Sequence, residues 1–351
     1  MKSIILHAAS FDTYWAHYYV NKDQDFIDKF ESLGYRLYQS DQIELKDADI
    51  ILFCEATSIG LQRFGLFHKI KYLGKILLGR ISLNARDVYA ECLENGLHEK
   101  TALIVAEGIV SMPENHISKL GEMFPVVFTW NDVMVNDTHF FKYCVPQPVQ
   151  WPKIELVPFK DKKLLVNISG NKYSSHPKEL YSARRTSIKY FEQKFKDQFE
   201  LYGIGWNKAA NFSQRILKTN VPFYSSFKGL VASKTDIFPK FRFALCYENT
   251  IWPGYITEKV FDCMRSDCVP IYLGAPNIND YLPPDTYIDR RKFSDAEQLS
   301  SYLLSIDEKK YEYYRECISE YLSSNKFSPF LCTSLPETIV KVIKNNSKKH
   351  Q

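Results

Sequence analysis

Asn249, Thr250, Tyr255, Glu258 and Lys259 fall within one short stretch of the chain. Together they bring a carboxylate, an amide, a hydroxyl, a phenol and an ammonium group. That set suits a ligand with both negative charge and sugar-like hydroxyls. An apolar, aromatic run, residues 241–247, leads into it. A Pro253-Gly254 turn interrupts it, and a helix opening on Thr-Glu-Lys closes it. A strand that feeds a turn and then a helix start is where α/β proteins bind phosphates. Lys259 would sit in the first helical turn, where a cation opposes the macrodipole by a few tenths of ~1 kcal/mol. An anionic ligand would relieve that conflict. Taken alone, Lys259 is equally well explained as a solvated lysine; with Glu258, Tyr255 and Asn249 beside it, the site reading is favoured.

A second polar stretch, residues 167–176, follows an apolar run and precedes a helical one. It holds one glycine, is not a G-x-G-x-x-G, and by itself is a weak phosphate or ribose loop. Arg184 and Arg185 lie on the helix after it, where local sequence alone favours a solvated basic face. Asp47-Ala-Asp49 has the form of a metal-binding D-x-D, yet it comes before its strand, on the far edge of the sheet from any ligand crevice, and reads as a turn. The histidines (7, 17, 68, 98, 116, 139, 176 and 350) show no ligand spacing. No metal site is expected.

The elements that must position these residues form two series. In the first, residues 3–9, 35–38, 49–54, 101–106 and 125–130 read as strands. Residues 24–33 form a helix with Phe26, Ile27, Phe30 and Leu33 on one face and Gly34 as its cap. In the second, residues 163–168, 199–202, 242–246, 269–273 and 286–288 read as strands. Helices are expected over 179–195, 257–265, 295–304, 309–322 and 336–344. Apolar strands alternating with helices imply parallel sheets covered on both faces. Prolines 146, 148, 152 and 158 mark the linker between the series. The expected organisation is a domain over 1–150, a second over 151–330, and a helix with a basic tail over 331–351. Two such α/β domains would place a ligand cleft between them.

Composition narrows the function classes. The 351 residues are 45% apolar and 25% charged, which is globular, and two domains are the ordinary expectation at this length. A net charge of +4 is too small to point to nucleic acid. Aromatic residues make up 15% of the chain, which fits either stacking surfaces or a codon bias towards Phe and Tyr. The eight cysteines, 54, 92, 144, 246, 263, 268, 317 and 332, form no C-x-x-C and several lie in apolar runs, so they read as reduced core residues of a cytosolic protein. The N-terminal apolar run is too short and polar for a signal peptide, and no stretch is long enough to span a bilayer. The sequons at Asn136, Asn167, Asn211 and Asn345 then read as chance. The basic segment from Ile339 has two readings: a helix packed back on the first domain, or peripheral contact with an anionic membrane.

The run FRFALCYENTIWPGYITEKVFDCMRSDCVPIYLG, from Phe241 to Gly274, resembles the α1,3/4-fucosyltransferase family, glycosyltransferase family 10. The family pattern is an aromatic-basic-Phe strand, Phe/Tyr-Glu-Asn, a spacer, Tyr-Val/Ile-Thr-Glu-Lys, and then Val/Ile-Pro-Ile/Val-x-Leu/Trp-Gly. Asp280 to Asp285 and Tyr287-Ile-Asp289 continue the match, whereas the first domain resembles the family only loosely. The spacer Ile251-Trp252-Pro253 is bulkier than the family's. The resemblance implies a GT-B fold of two Rossmann-like domains facing a cleft. It also implies inverting, metal-independent transfer of fucose from GDP-fucose to a glycan hydroxyl in surface-glycan or lipopolysaccharide synthesis. No cofactor is implied. Asn249, Tyr255, Glu258 and Lys259 would contact the donor, with Lys259 at the diphosphate, and Arg185 or Arg184 would add to it. The family's base is a Glu after a strand of the first domain, ahead of a Pro-x-Asn. Glu107 matches that placement, with Glu114 and Glu55 as competitors. Two other readings stand beside this one: a different deoxy- or amino-sugar nucleotide donor, and a non-catalytic sugar-nucleotide or glycan-binding protein.

Overall fold

The structure, a computed structural model, describes residues 1–8, 23–64, 86–207 and 224–349. Asn211, His17, His68 and His350 lie outside the described residues. The chain divides into two compact units, Met1–Val149 with Pro329–Gln351, and Gln150–Ser328. The C-terminal segment is therefore part of the first unit and not a separate piece. The backbone of Gln147 bonds to that of Phe330 (2.6 Å) and Cys332 (2.7 Å), which ties the returning chain to the end of the first unit.

The first unit is a parallel sheet ordered β2-β1-β3-β4-β5-β6. The strands are β1 (Lys2–Ala8), β2 (Tyr35–Gln39), β3 (Ile50–Cys54), β4 (Thr101–Val105), β5 (Val126–Thr129) and β6 (Phe140–Lys142). Every residue of β3 and β4 is buried, as uninterrupted apolar runs in a two-sided parallel sheet require. The described helices are α1 (Gln24–Ser32), α2 (Val88–Glu94), α3 (Leu120–Met123) and, closing the chain, α8 (Ser334–Lys349). Asp23 caps α1 by accepting from Phe26 N at 3.1 Å, and Asp87 caps α2 from Ala90 N at 3.0 Å. Helix α8 packs on α1, with Lys29 paired to Glu337 and Lys344 over the Tyr35 ring. Asp49 accepts from Ser3 N at 2.8 Å, which fastens the entrances of β3 and β1; this acidic pair sits at the N-terminal edge of the sheet.

The second unit is a parallel sheet ordered β12-β11-β10-β7-β8-β9. Its strands are β7 (Lys163–Ile168), β8 (Phe199–Tyr202), β9 (Phe227–Gly229), β10 (Phe241–Tyr247), β11 (Val269–Leu273) and β12 (Ile288–Asp289). Its described helices are α4 (Tyr181–Phe195), α5 (Glu258–Met264), α6 (Ala296–Ser305) and α7 (Glu308–Leu322). Strand order reverses between β7 and β10, the crevice where open α/β sheets bind ligands. The strand expected over 286–288 begins later, because Thr286 closes a turn, donating to Pro283 O at 2.7 Å. The three-residue strands β6 and β9 carry too little pattern to be recognised in advance.

Candidate functional site

At the C-terminal end of β10, the chain leaves the sheet through Glu248, which is fully buried. Its carboxylate reaches across the turn to the start of α5. One oxygen accepts from Thr257 N at 2.8 Å and the other from Thr257 Oγ1 at 2.8 Å and Lys259 Nζ at 3.2 Å. Thr257 occupies the N-cap position of α5, yet its hydroxyl caps no backbone N–H of that helix; it donates to Glu248 and accepts from Lys259 Nζ at 3.0 Å. Close approach makes this possible. A Cβ on Gly274 would lie 2.6 Å from Glu248 Cγ and 2.4 Å from Tyr272 Oη, so only glycine fits there. Tyr272 Oη in turn donates to Tyr255 O at 3.2 Å, and Tyr255 is itself buried.

Lys259 also lies 3.6 Å from Glu258, whose side chain is 48% exposed. Burial would lower the Lys259 pKa, but the carboxylates of Glu248 and Glu258 outweigh it and hold the ammonium group above its ordinary range. The same balance acts in reverse on Glu258: burial would raise it, and Lys259 and Lys234 bring it down to about 2. Lys234 is paired to Asp262 on α5. Lys234 and Lys259 line one small recess together with Ile168, Ser169, Cys246 and Tyr247. That recess lies at the C-terminal ends of β7 and β10, at the point where strand order reverses. Helix α5 spans only seven residues, about two turns, so positive charge here comes from side chains more than from a helix dipole.

The arginines divide. Arg184 is buried and donates through Nη2 to the carbonyls of Tyr247 and Glu248, the latter at 3.0 Å, which braces the turn after β10. Burial lowers its pKa, with neighbouring tyrosines and Glu248 opposing. Arg185 is half-buried and bonds Lys172 O and Ser182 Oγ. The backbone of Asn249 accepts from Leu180 N at 3.0 Å, so the loop before α4 and the turn after β10 are joined. Of the expected donor residues, Arg184, Asn249, Tyr255, Glu258 and Lys259 converge on this corner, and Arg185 faces the 167–176 loop. Glu248, Lys234 and Asp262 had been assigned no role. Glu248 sat inside the quoted motif. Lys234 is brought in from a loop by tertiary contact, with no local signal.

In the first unit, the three candidate bases have distinct settings. Glu114 is buried within the 3₁₀ turn Pro113–His116. Glu55 is buried at the exit of β3 with φ 65° and ψ 146°, a region left almost entirely to glycine. Its carboxylate accepts from Ala106 N and Glu107 N, both at 3.1 Å, and from Asn115 Nδ2. Burial pushes its pKa up to about 7, the backbone bonds and Asn115 holding it back in part, while Glu107 adds to the rise. Glu107 itself is exposed, two residues after the end of β4. Among the described residues no group of three or more metal-ligating side chains is present, and all eight cysteines are free.

Residues 182–318 match the model of "Glycosyltransferase family 10 (fucosyltransferase) C-term". This part of the chain is similar to a glycosyltransferase family 10 domain. The domain takes in both arginines and the whole Glu248–Lys259 corner, and leaves out Glu107. Among curated relatives, an alpha-(1,4)-fucosyltransferase of Arabidopsis thaliana is 37% identical over 82 residues, 22% of this chain and 20% of that protein. The alpha-(1,3)-fucosyltransferase FucT of Helicobacter pylori is 32% identical over 73 residues, 21% of this chain and 15% of that one. The human GDP-fucose protein O-fucosyltransferase 3 is 37% identical over 83 residues, 23% and 17% respectively. The chain thus aligns with a fifth or less of the length of these three relatives. A crystal structure of an alpha1,3-fucosyltransferase with GDP superposes with a TM-score of 0.53 at 13% identity, covering 98% of this chain and 90% of that one. The Anabaena protein HepE, in complex with UDP and glucose, gives 0.55 at 9% identity, covering 98% and 99%. These likenesses are of fold: each unit is Rossmann-like, as in the GT-B fold, and the family 10 match lies within the second unit.

Proposed function

We propose that the protein is an inverting fucosyltransferase that moves fucose from GDP-fucose to a hydroxyl of a glycan acceptor. The observation that carries this reading is the cation pair Lys234 and Lys259, set in a recess where strand order reverses on a family 10 domain. Lys259 faces the diphosphate, and Glu258 and Asn249 take hydroxyls of the ribose or the sugar. As the bond from fucose C1 to the diphosphate oxygen breaks, GDP departs as an anion. Ammonium groups already in place stabilise that charge as it grows. Neither a protonated leaving group nor a metal is then required. The acceptor oxygen attacks C1 from the opposite side and gives its proton to a base. Glu107 is the exposed carboxylate of the three candidates, and we assign the role to it.

The experiment is a GDP-release assay on GDP-fucose with a glycan acceptor, run with and without EDTA, beside calorimetry of GDP binding. Turnover that persists in EDTA with measurable GDP binding is expected; no GDP binding, or turnover abolished by chelation, overturns the proposal. Trp252, held by Lys178 at 4.1 Å from its ring centre, occupies the bulky spacer beside Asn249 and favours a check on donor identity. A thermal-shift panel of GDP-, UDP- and dTDP-sugars makes that check. Relatives' names include a protein O-fucosyltransferase, so a protein acceptor is a second arm of the assay.

A further inference from the structure

The peptide groups of Ala106 and Glu107 are held on every side. Both N–H groups donate to the Glu55 carboxylate, at 3.1 Å each. The Ala106 carbonyl accepts from Trp130 Nε1 at 2.7 Å. The Glu107 carbonyl accepts from His116 Nε2 at 2.9 Å, and Asn115 Nδ2 lies 3.5 Å from it. His116 packs against the Trp130 ring, 4.9 Å between centroids, and its other nitrogen meets Asn131 Nδ2 at 3.2 Å. Asn115 completes the set by bonding both the Glu55 carboxylate and, through Oδ1, Ala56 N at 2.9 Å. Side chains from three separate segments thus fix four backbone groups of two consecutive loop residues. Loops at strand ends ordinarily leave such groups to water.

The cost of this arrangement falls on Glu55. It keeps a backbone conformation that glycine would adopt without strain, and it buries a carboxylate to which, among the described residues, no cation is bonded. A glycine there would relieve the first problem and remove the second, but would leave the two N–H groups unmet. A side chain stands where backbone preference argues against it, which points to the loop it holds.

We infer that Glu55, with Trp130 and His116 behind it, is a positioning residue that fixes the Glu107 backbone so that its exposed carboxylate is presented in one place. The inference rests on Glu107 acting as base, as proposed above. Glu55 does not touch substrate. Its Glu55→Gln variant keeps the volume but puts an amide N–H against one of the two backbone donors. A base displaced by a fraction of an ångström costs rate more than binding.

The test compares Glu55→Gln and Trp130→Phe with wild type and Glu107→Gln in steady-state kinetics, alongside GDP calorimetry. Expected is a kcat lower by about 10–100-fold for Glu55→Gln, and a smaller loss in the same direction for Trp130→Phe. KM for the acceptor and the Kd for GDP should stay at wild-type values. Should Glu55→Gln fail to fold, Trp130→Phe, which keeps an aromatic ring beside His116 while removing the N–H donor and part of the buried indole, decides. Wild-type kcat in the folded positioning variants, with Glu107→Gln inactive, overturns the positioning role and leaves the base intact. Wild-type kcat in Glu107→Gln overturns the base assignment itself.

Discussion

Both units use a buried glutamate in the same place and give it opposite electrostatics. In each sheet, among the described residues, strand order reverses next to a central strand, β3 in one and β10 in the other. A glutamate directly follows each: Glu55 after Cys54, Glu248 after Tyr247. Each is almost wholly buried, and each reaches over to hold the backbone of a neighbouring segment. Glu248 has Lys259 bonded to it; among the described residues, Glu55 has amides alone. On the function proposed above, the first arrangement fixes a cation where an anion would bind. The second fixes another carboxylate where a proton would be taken. The difference teaches that one fold-level device, a carboxylate clamp at the point where strand order reverses, can prepare a site for either sign of charge according to what it clamps.

The largest expected effect separates the two corners outright. Glu107→Gln should lower turnover by about 10²–10⁴-fold, the range of general-base catalysis, and leave GDP binding unchanged by calorimetry. Weakened GDP binding would mean that the corners do not divide the work in this way.

The Glu55 clamp should also make stability depend on pH. The Glu55 pKa stands near 7 in the folded protein against an ordinary 4.5. A carboxyl raised by folding lends stability that is fully present below its unfolded pKa and is lost as pH rises through the folded one. Between pH 4 and 8 this amounts to roughly 3 kcal/mol. His116 runs the other way: burial lowers it to about 4, so its contribution is present above 6.5 and lost as pH falls. Urea melts of wild type and Glu55→Gln across that range, taken as a difference, cancel His116 and every other shared group. The difference should slope; a flat line would mean that Glu55 is charged in both states.

Lys259→Ala comes next. A charge-assisted contact contributes about 1.5–3 kcal/mol, so the Kd for GDP should rise by about 10–100-fold. Equal affinity would place the diphosphate elsewhere and break the comparison from the other side.

How far the sequence exposed all this follows from where each signal resides. Continuous apolar strands such as Ile50–Cys54 and Val269–Leu273 are legible because a two-sided parallel sheet leaves them no polar positions. Lys259, Glu258, Tyr255 and Asn249 are legible because they lie on one turn of contiguous chain. Lys234 and the Glu55–Asn115–His116–Trp130 set are not, since their partners lie elsewhere in the sequence and no periodicity links them. Glu55 is the instructive case. It was visible as a carboxylate after a strand and was weighed as a base, whereas its burial and left-handed backbone show it turned inward on the neighbouring loop. A sequence tells that a carboxylate stands at a strand end; only packing tells which way it faces.

The smallest effect expected is at Glu248, and it has two opposing parts. Glu248→Gln removes a negative charge beside Lys259, which strengthens the field an arriving diphosphate meets. It also weakens the bond that orients Lys259, leaving Glu258, half exposed and 3.6 Å away, as the remaining carboxylate. The two changes offset, so the affinity for GDP should move by less than about 1 kcal/mol. Stability has no such offset. The amide keeps one acceptor for Thr257 and turns donors toward the Thr257 hydroxyl or Lys259, a loss of about 1–2 kcal/mol that a thermal melt reads. A variant with lower stability and near-normal GDP affinity would show Glu248 acting on the turn it clamps. A loss of affinity as large as that of Lys259→Ala would show the orienting bond outweighing the charge, and the two glutamates would then be positioning residues of the same kind.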